Sequence, residues 1–203
     1  MPTVSAGNAS AALRTGVGLE VFTVLWMAVE AAVAIGAGIA ALSVLLTGFG
    51  FDSVIELLSG VTLLWRLSST SPHIEGVERR ATRISAALLV LLCVYLLFFS
   101  VAGLVLKVRP EGSVLGVAVA AVAVMVMPIL AWRKQLANAT IGSAALRADI
   151  AENITCAYMA AATLVGAGLN LLFGLWWAEY VAALALLVFV GMETREAIES
   201  ARE

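Results

Sequence analysis

Charge is the scarcest thing in this sequence. Asp, Glu, Lys and Arg together make up 13% of its 203 residues, against roughly 25% in an ordinary soluble domain. There is one histidine, His73, and there are two cysteines. Cys93 and Cys156 fall in separate apolar stretches, which excludes a disulfide framework. The first 18 residues lack the charged start and cleavage site of a secretory leader, so no cleaved signal peptide is expected. Long polar segments are missing as well, the longest between apolar runs being 68–83. A soluble catalytic domain does not fit into such loops, and no enzyme activity, resident cofactor or nucleic-acid partner is expected.

What remains is apolar. Hydrophobic residues are 62% of the chain, and the mean hydropathy is +1.03. A membrane-crossing helix needs about 20 mostly apolar residues. The runs allow six, at 19–41, 42–67, 84–108, 114–132, 149–172 and 176–192. The expected fold class is therefore an all-α membrane protein with six transmembrane helices. Residues 1–18 form a polar N-terminal segment, 19–192 the transmembrane domain and 193–203 a short cytoplasmic tail. Between 21 and 50 the only polar punctuation of note is Glu30 and Ser43. A tight hairpin near 40–43 divides that stretch, the alternative being a re-entrant segment.

Lysine and arginine in short loops set orientation. With six spans, one side carries Arg14, Arg66, Arg79, Arg80, Arg83, Arg133, Lys134, Arg147, Arg195 and Arg202, and the other only Lys107 and Arg109. Both termini are accordingly expected in the cytoplasm. Trp65 and Trp132 close spans on that side, while Trp176 and Trp177 open the last span on the other, as interface-seeking rings should.

Against this background two acid-bearing turns stand out: Asp52-Ser53-Val54-Ile55-Glu56, and Asp149-Ile150-Ala151-Glu152-Asn153-Ile154-Thr155-Cys156. Ionisable groups at membrane depth are costly, and they usually face a bundle interior or a watery cavity. Residues four apart share a helix face, so Asp52 pairs with Glu56 in the second span. Asp149, Glu152, Asn153 and Cys156 form one stripe in the fifth. If the helices face each other, carboxylates and a sulfur converge. Several carboxylates could not all stay ionised in a dry bundle, and either a divalent cation or protons would resolve that conflict. Three oxygens and one sulfur suit a borderline or soft ion such as Zn²⁺, with Mn²⁺, Fe²⁺, Co²⁺ and Cd²⁺ as alternatives.

Each residue also has a plainer reading. Asp52 and Glu56 could simply tie helices together, and Cys156 could be a small hydrophobe in the core. Asp149, beside Arg147, suits a helix start or an entrance better than direct ligation. Glu30 in mid-span is a proton carrier, a partner of the ligands or an interhelical hydrogen bonder, while Glu20 near the membrane edge is expected to be solvated. His73 with Glu75 and Glu78 would form a weak cytoplasmic ion-collecting patch. Gly36, Gly38 and Ala34 are expected to permit close helix packing, and Pro128 implies a kink.

At these positions the sequence resembles the transmembrane domain of the cation diffusion facilitator family, whose signature is a pair of metal ligands at i, i+4 in the second span and another in the fifth. Asp52 and Glu56 fall at the first pair, and Glu152 and Cys156 at the second, behind the lead-in Ser143-Ala144-Ala145-Leu146-Arg147-Ala148-Asp149. Gly174-Leu175-Trp176-Trp177-Ala178-Glu179-Tyr180 resembles the start of the family's sixth span. The likeness covers about residues 20–195. The usual Asp and His ligands are partly replaced, with Glu56 for Asp, Glu152 for His and Cys156 for Asp.

The resemblance implies a secondary transporter, with Asp52, Glu56, Glu152 and Cys156 as metal ligands and Asp149, Asn153 and Glu30 beside them or at the entrance. It would export zinc from the cytoplasm of a bacterium across the cytoplasmic membrane in exchange for protons, by alternating access. The family's cytoplasmic domain is not expected after the sixth span, so a homodimer would rest on membrane helices in lipid. The alternative is a non-transporting membrane subunit or metal sensor.

Overall fold

The structure, a computed structural model, describes residues 6–68 and 74–202, with side chains described for 11–66, 80, 82–143 and 145–199. His73 and the side chains of Glu75 and Glu78, expected as an ion-collecting patch, lie outside the described residues.

Among the described residues six helices follow one another: α1 (Ala6–Ala40), α2 (Val44–Ser68), α3 (Ile74–Leu106), α4 (Val114–Ile141), α5 (Ala144–Phe173) and α6 (Trp176–Arg202). By length and composition, five of them, α1 to α5, can cross a membrane, which is compatible with an integral membrane protein. The surface agrees. Phe22, Leu25, Leu91, Phe98, Met125 and Val188 are exposed, whereas Glu20, Glu30, Asp52, Lys134 and Asn153 are buried. A water-soluble bundle has the opposite pattern.

Local chemistry sets the helix ends. Leu42, at φ 54°, turns α1 into α2, and the Ser43 N–H donates to the Gly38 carbonyl at 2.8 Å. This is the tight hairpin expected near 40–43. Ser113 caps α4 by accepting the Gly116 N–H at 3.1 Å, and Ser143 caps α5 by accepting that of Leu146 at 3.3 Å. Left-handed Gly142 and Gly174 end α4 and α5.

These caps correct the expected boundaries. α4 continues nine residues past 132 through the polar stretch to Ile141, and it runs unbroken through Pro128. α5 begins at Ala144, so Asp149 lies inside the helix and is neither its cap nor its start.

α1 packs on α2 and α4, and α4 on α5, while α3 pairs with α6 and rests on α2. α2 also meets α5 and α6. At one end the Glu111 N–H donates to the Ala41 carbonyl at 2.8 Å. Asn170 donates to the Pro110 carbonyl at 3.0 Å and to Glu179 at 2.7 Å, and the Ser43 hydroxyl donates to Glu179. Three connections are thereby tied together: α1–α2, α3–α4 and α5–α6. The opposite end, where α2 finishes and α5 begins, holds the cavity described next.

Candidate cation site

A cavity of about 530 Å³ opens between α2, α3, α5 and α6. Its walls carry Glu56, Ser59, Thr62 and Arg66 from α2, Asp149, Glu152 and Thr155 from α5, and Glu193 and Glu196 from α6. Behind it, against α1, lies a pocket of about 10 Å³ bounded by Thr23, Glu56, Asp149, Glu152 and Asn153. That is close to the space of one water molecule.

The acids form two tiers. Glu56 and Glu152 line the cavity, and Asp52 and Cys156 sit one turn further in on the same two helices. Of these four, Glu56 and Glu152 meet at the cavity, and Asp52 and Cys156 do not line it. Asp52 is 0% exposed and Glu56 6%, and none of their four carboxylate oxygens has a hydrogen-bond partner. The carboxyl groups of Glu193, Glu30 and Glu152 lie around the pair. A buried polar group normally has a partner, so two adjacent unpartnered carboxylates call for an explanation.

The other acids are engaged. Glu152 accepts the Ser59 hydroxyl of α2 at 3.2 Å. Glu30 accepts the Trp26 indole N–H at 2.6 Å and the Ser53 hydroxyl at 2.8 Å, and the Cys156 thiol lies 3.8 Å from its Oε1. Of the roles weighed for Glu30, hydrogen bonding between helices is the one in place, joining α1 to α2 and α5. Cys156 is fully buried in the apolar core beside Met159 and Ala160. Asn153 is buried with its side-chain amide nitrogen unpartnered. Among the described residues, no three His, Cys, Asp or Glu side chains are gathered closely enough to hold a metal ion.

Two expectations are overturned. Glu20 is not solvated at the membrane edge; it is 0% exposed and ion-paired with Lys134 at 2.7 Å. Lys134 is not a loop cation, because α4 extends past it and turns it inward, where it also binds Asp149 at 2.6 Å. Among the described residues it is the one buried Lys or Arg. A signal for it exists in the sequence. Met127, Leu130, Ala131, Lys134, Ala137 and Asn138 recur at helical spacing, and all six are buried. Glu193 was missed too, though it follows the buried Leu186 and Val190 at seven and three residues.

Neither a protein-family model nor a curated protein matches the chain.

Proposed function

We propose that this protein is a secondary transporter that moves a divalent transition-metal cation, zinc foremost, out of the cytoplasm in exchange for protons. One observation carries the reading: Asp52 and Glu56 are buried, adjacent and without partners at the inner side of an acid-lined cavity. Buried carboxylates left open in this way suit a mobile cation. A zinc ion arriving through the cavity meets Glu152 and Glu56, then Asp52, with Cys156 as a soft donor at the deepest point. Ligation requires deprotonated oxygens and sulfur, so loading expels protons and protons drive release. Helix rearrangement then exposes the site at the far end, in alternating access about a fixed site.

In this reading α6 is the sixth span, both termini are cytoplasmic, and the chain sits in a bacterial cytoplasmic membrane as a homodimer joined through its helices. The paired acids and their resemblance to the cation diffusion facilitator family support it.

Reconstituted vesicles provide the test. Zinc uptake measured with a trapped fluorophore should be driven by an opposing proton gradient, and Asp52→Asn should abolish it. Zinc that stays put under either gradient overturns the transporter reading.

One observation favours a second reading, a metal sensor or non-transporting subunit. Glu30 and Glu152 already serve as ties between helices, and three ligands are not gathered among the described residues. Zinc binding without flux would support that alternative.

A further inference from the structure

The transporter reading assigns no task to the buried cation. Lys134 has two partners of unequal standing. Its bond to Glu20 is 2.7 Å long and both side chains are 0% exposed. Its bond to Asp149 is 2.6 Å long, but Asp149 is 9% exposed and borders both the large cavity and the water-sized pocket. The ammonium therefore sits between a carboxylate sealed in the interior and one that a visitor to the cavity can reach. Glu56, with both oxygens unpartnered, borders the same two spaces, as does Asn153 at the smaller one.

We propose that Asp149 is an exchangeable cation-binding carboxylate, held by the Lys134 ammonium when the protein is empty and taken by a divalent cation arriving through the cavity. Glu20 is what makes the exchange feasible. Removing one partner from a buried ion pair ordinarily leaves an uncompensated charge, at a large cost. Here Lys134 can release Asp149 and remain paired with Glu20, so neither charge is abandoned. Glu56 and Glu152 line the same pocket; in the empty protein they and Asp149 are not close enough together to hold an ion, so a cation that takes Asp149 must draw them in. Lys134 is then a tethered competitor. It partly offsets the negative charge of the empty site and sets a threshold that favours a divalent over a monovalent ion, because a doubly charged ion competes more strongly with the ammonium for Asp149.

This inference rests on the cation-transport reading, and zinc binding to the purified full-length protein separates the two. Wild type should bind zinc, and Asp52→Asn should weaken that binding. Asp149→Asn should lower zinc affinity at least fivefold with little change in thermal stability, since Lys134 keeps Glu20. Lys134→Met should raise zinc affinity about tenfold, and the double variant Lys134→Met with Asp149→Asn should lose that gain. Should Lys134→Met fail to fold without metal, its recovery by added zinc, absent in the double variant, serves as the same readout. Unchanged affinity in Asp149→Asn, or a gain that survives in the double variant, overturns the exchange while leaving the Asp52 reading intact. A wild-type protein that binds no zinc overturns both.

Discussion

Asp52 and Glu30 are equally buried, 0% exposed in both cases, yet their hydrogen bonding is opposite. Glu30 accepts from an indole and a hydroxyl, with a thiol nearby, whereas Asp52 accepts from nothing. An unpartnered buried polar group costs about 1–3 kcal/mol, more when charged. In metal-free protein Asp52→Asn should therefore be neutral or stabilising by about 1 kcal/mol, because it removes a buried ionisable group without breaking any hydrogen bond. Glu30→Leu should destabilise by about 1–3 kcal/mol, because it leaves the half-buried Trp26 N–H without its acceptor and unties α1 from α2, while the Ser53 hydroxyl keeps the Phe49 carbonyl at 3.0 Å. Thermal unfolding of both variants in detergent, without metal, checks the contrast. An Asp52→Asn protein that melts well below wild type would mean that this acid is a structural tie.

At the scale of the helix, close approach separates residues that look alike in sequence. A Cβ on Gly38 would lie 2.5 Å from the Thr47 backbone nitrogen in α2, while one on Gly36 would meet nothing within 4 Å. Both glycines were expected to serve packing, and only Gly38 does. Gly38→Ala should cost about 1–3 kcal/mol through overpacking at the α1–α2 hairpin. Gly36→Ala should be neutral or gain up to about 1 kcal/mol from helix propensity. Equal melting temperatures for the two variants would contradict this account of the hairpin.

The same distinction explains what could be read in advance. Apolar runs announced the helices, and i, i+4 spacing announced that Asp52 with Glu56, and Glu152 with Cys156, share faces. Helix ends were less legible, because α4 carries its polar last turns to the Gly142–Ser143 caps and not to the end of the apolar run. That error hid Lys134, whose partners Glu20 and Asp149 lie 114 and 15 residues away in sequence. Pairings between helices of that kind are set by tertiary packing, and periodicity within one helix cannot name them.

Across the whole molecule the two ends differ. The acid-lined cavity opens at one, and the other is fastened by Glu179 between Ser43 and Asn170, with Tyr180 donating to the Val108 carbonyl at 3.0 Å. Cys156 lies between them at 0% exposure. On the transport reading proposed above, alternating access would require that the fastened end open while the cavity closes, and the Glu179 network would then contribute to the balance between the two states. Glu179→Leu removes the acceptor that holds Ser43 and Asn170, and it should shift the population toward the state open at that end. With Cys93→Ser as the background, Cys156 is left as the reporter thiol. In sealed vesicles a membrane-impermeant thiol reagent should label it slowly from either side in the parent protein. In Glu179→Leu labelling from the fastened side should rise several-fold, and zinc should suppress it by occupying the site. Labelling that stays equally slow from that side in folded Glu179→Leu protein would show that the network does not govern access. The fastened end would then be a permanent closure, and the sensor reading would gain over transport.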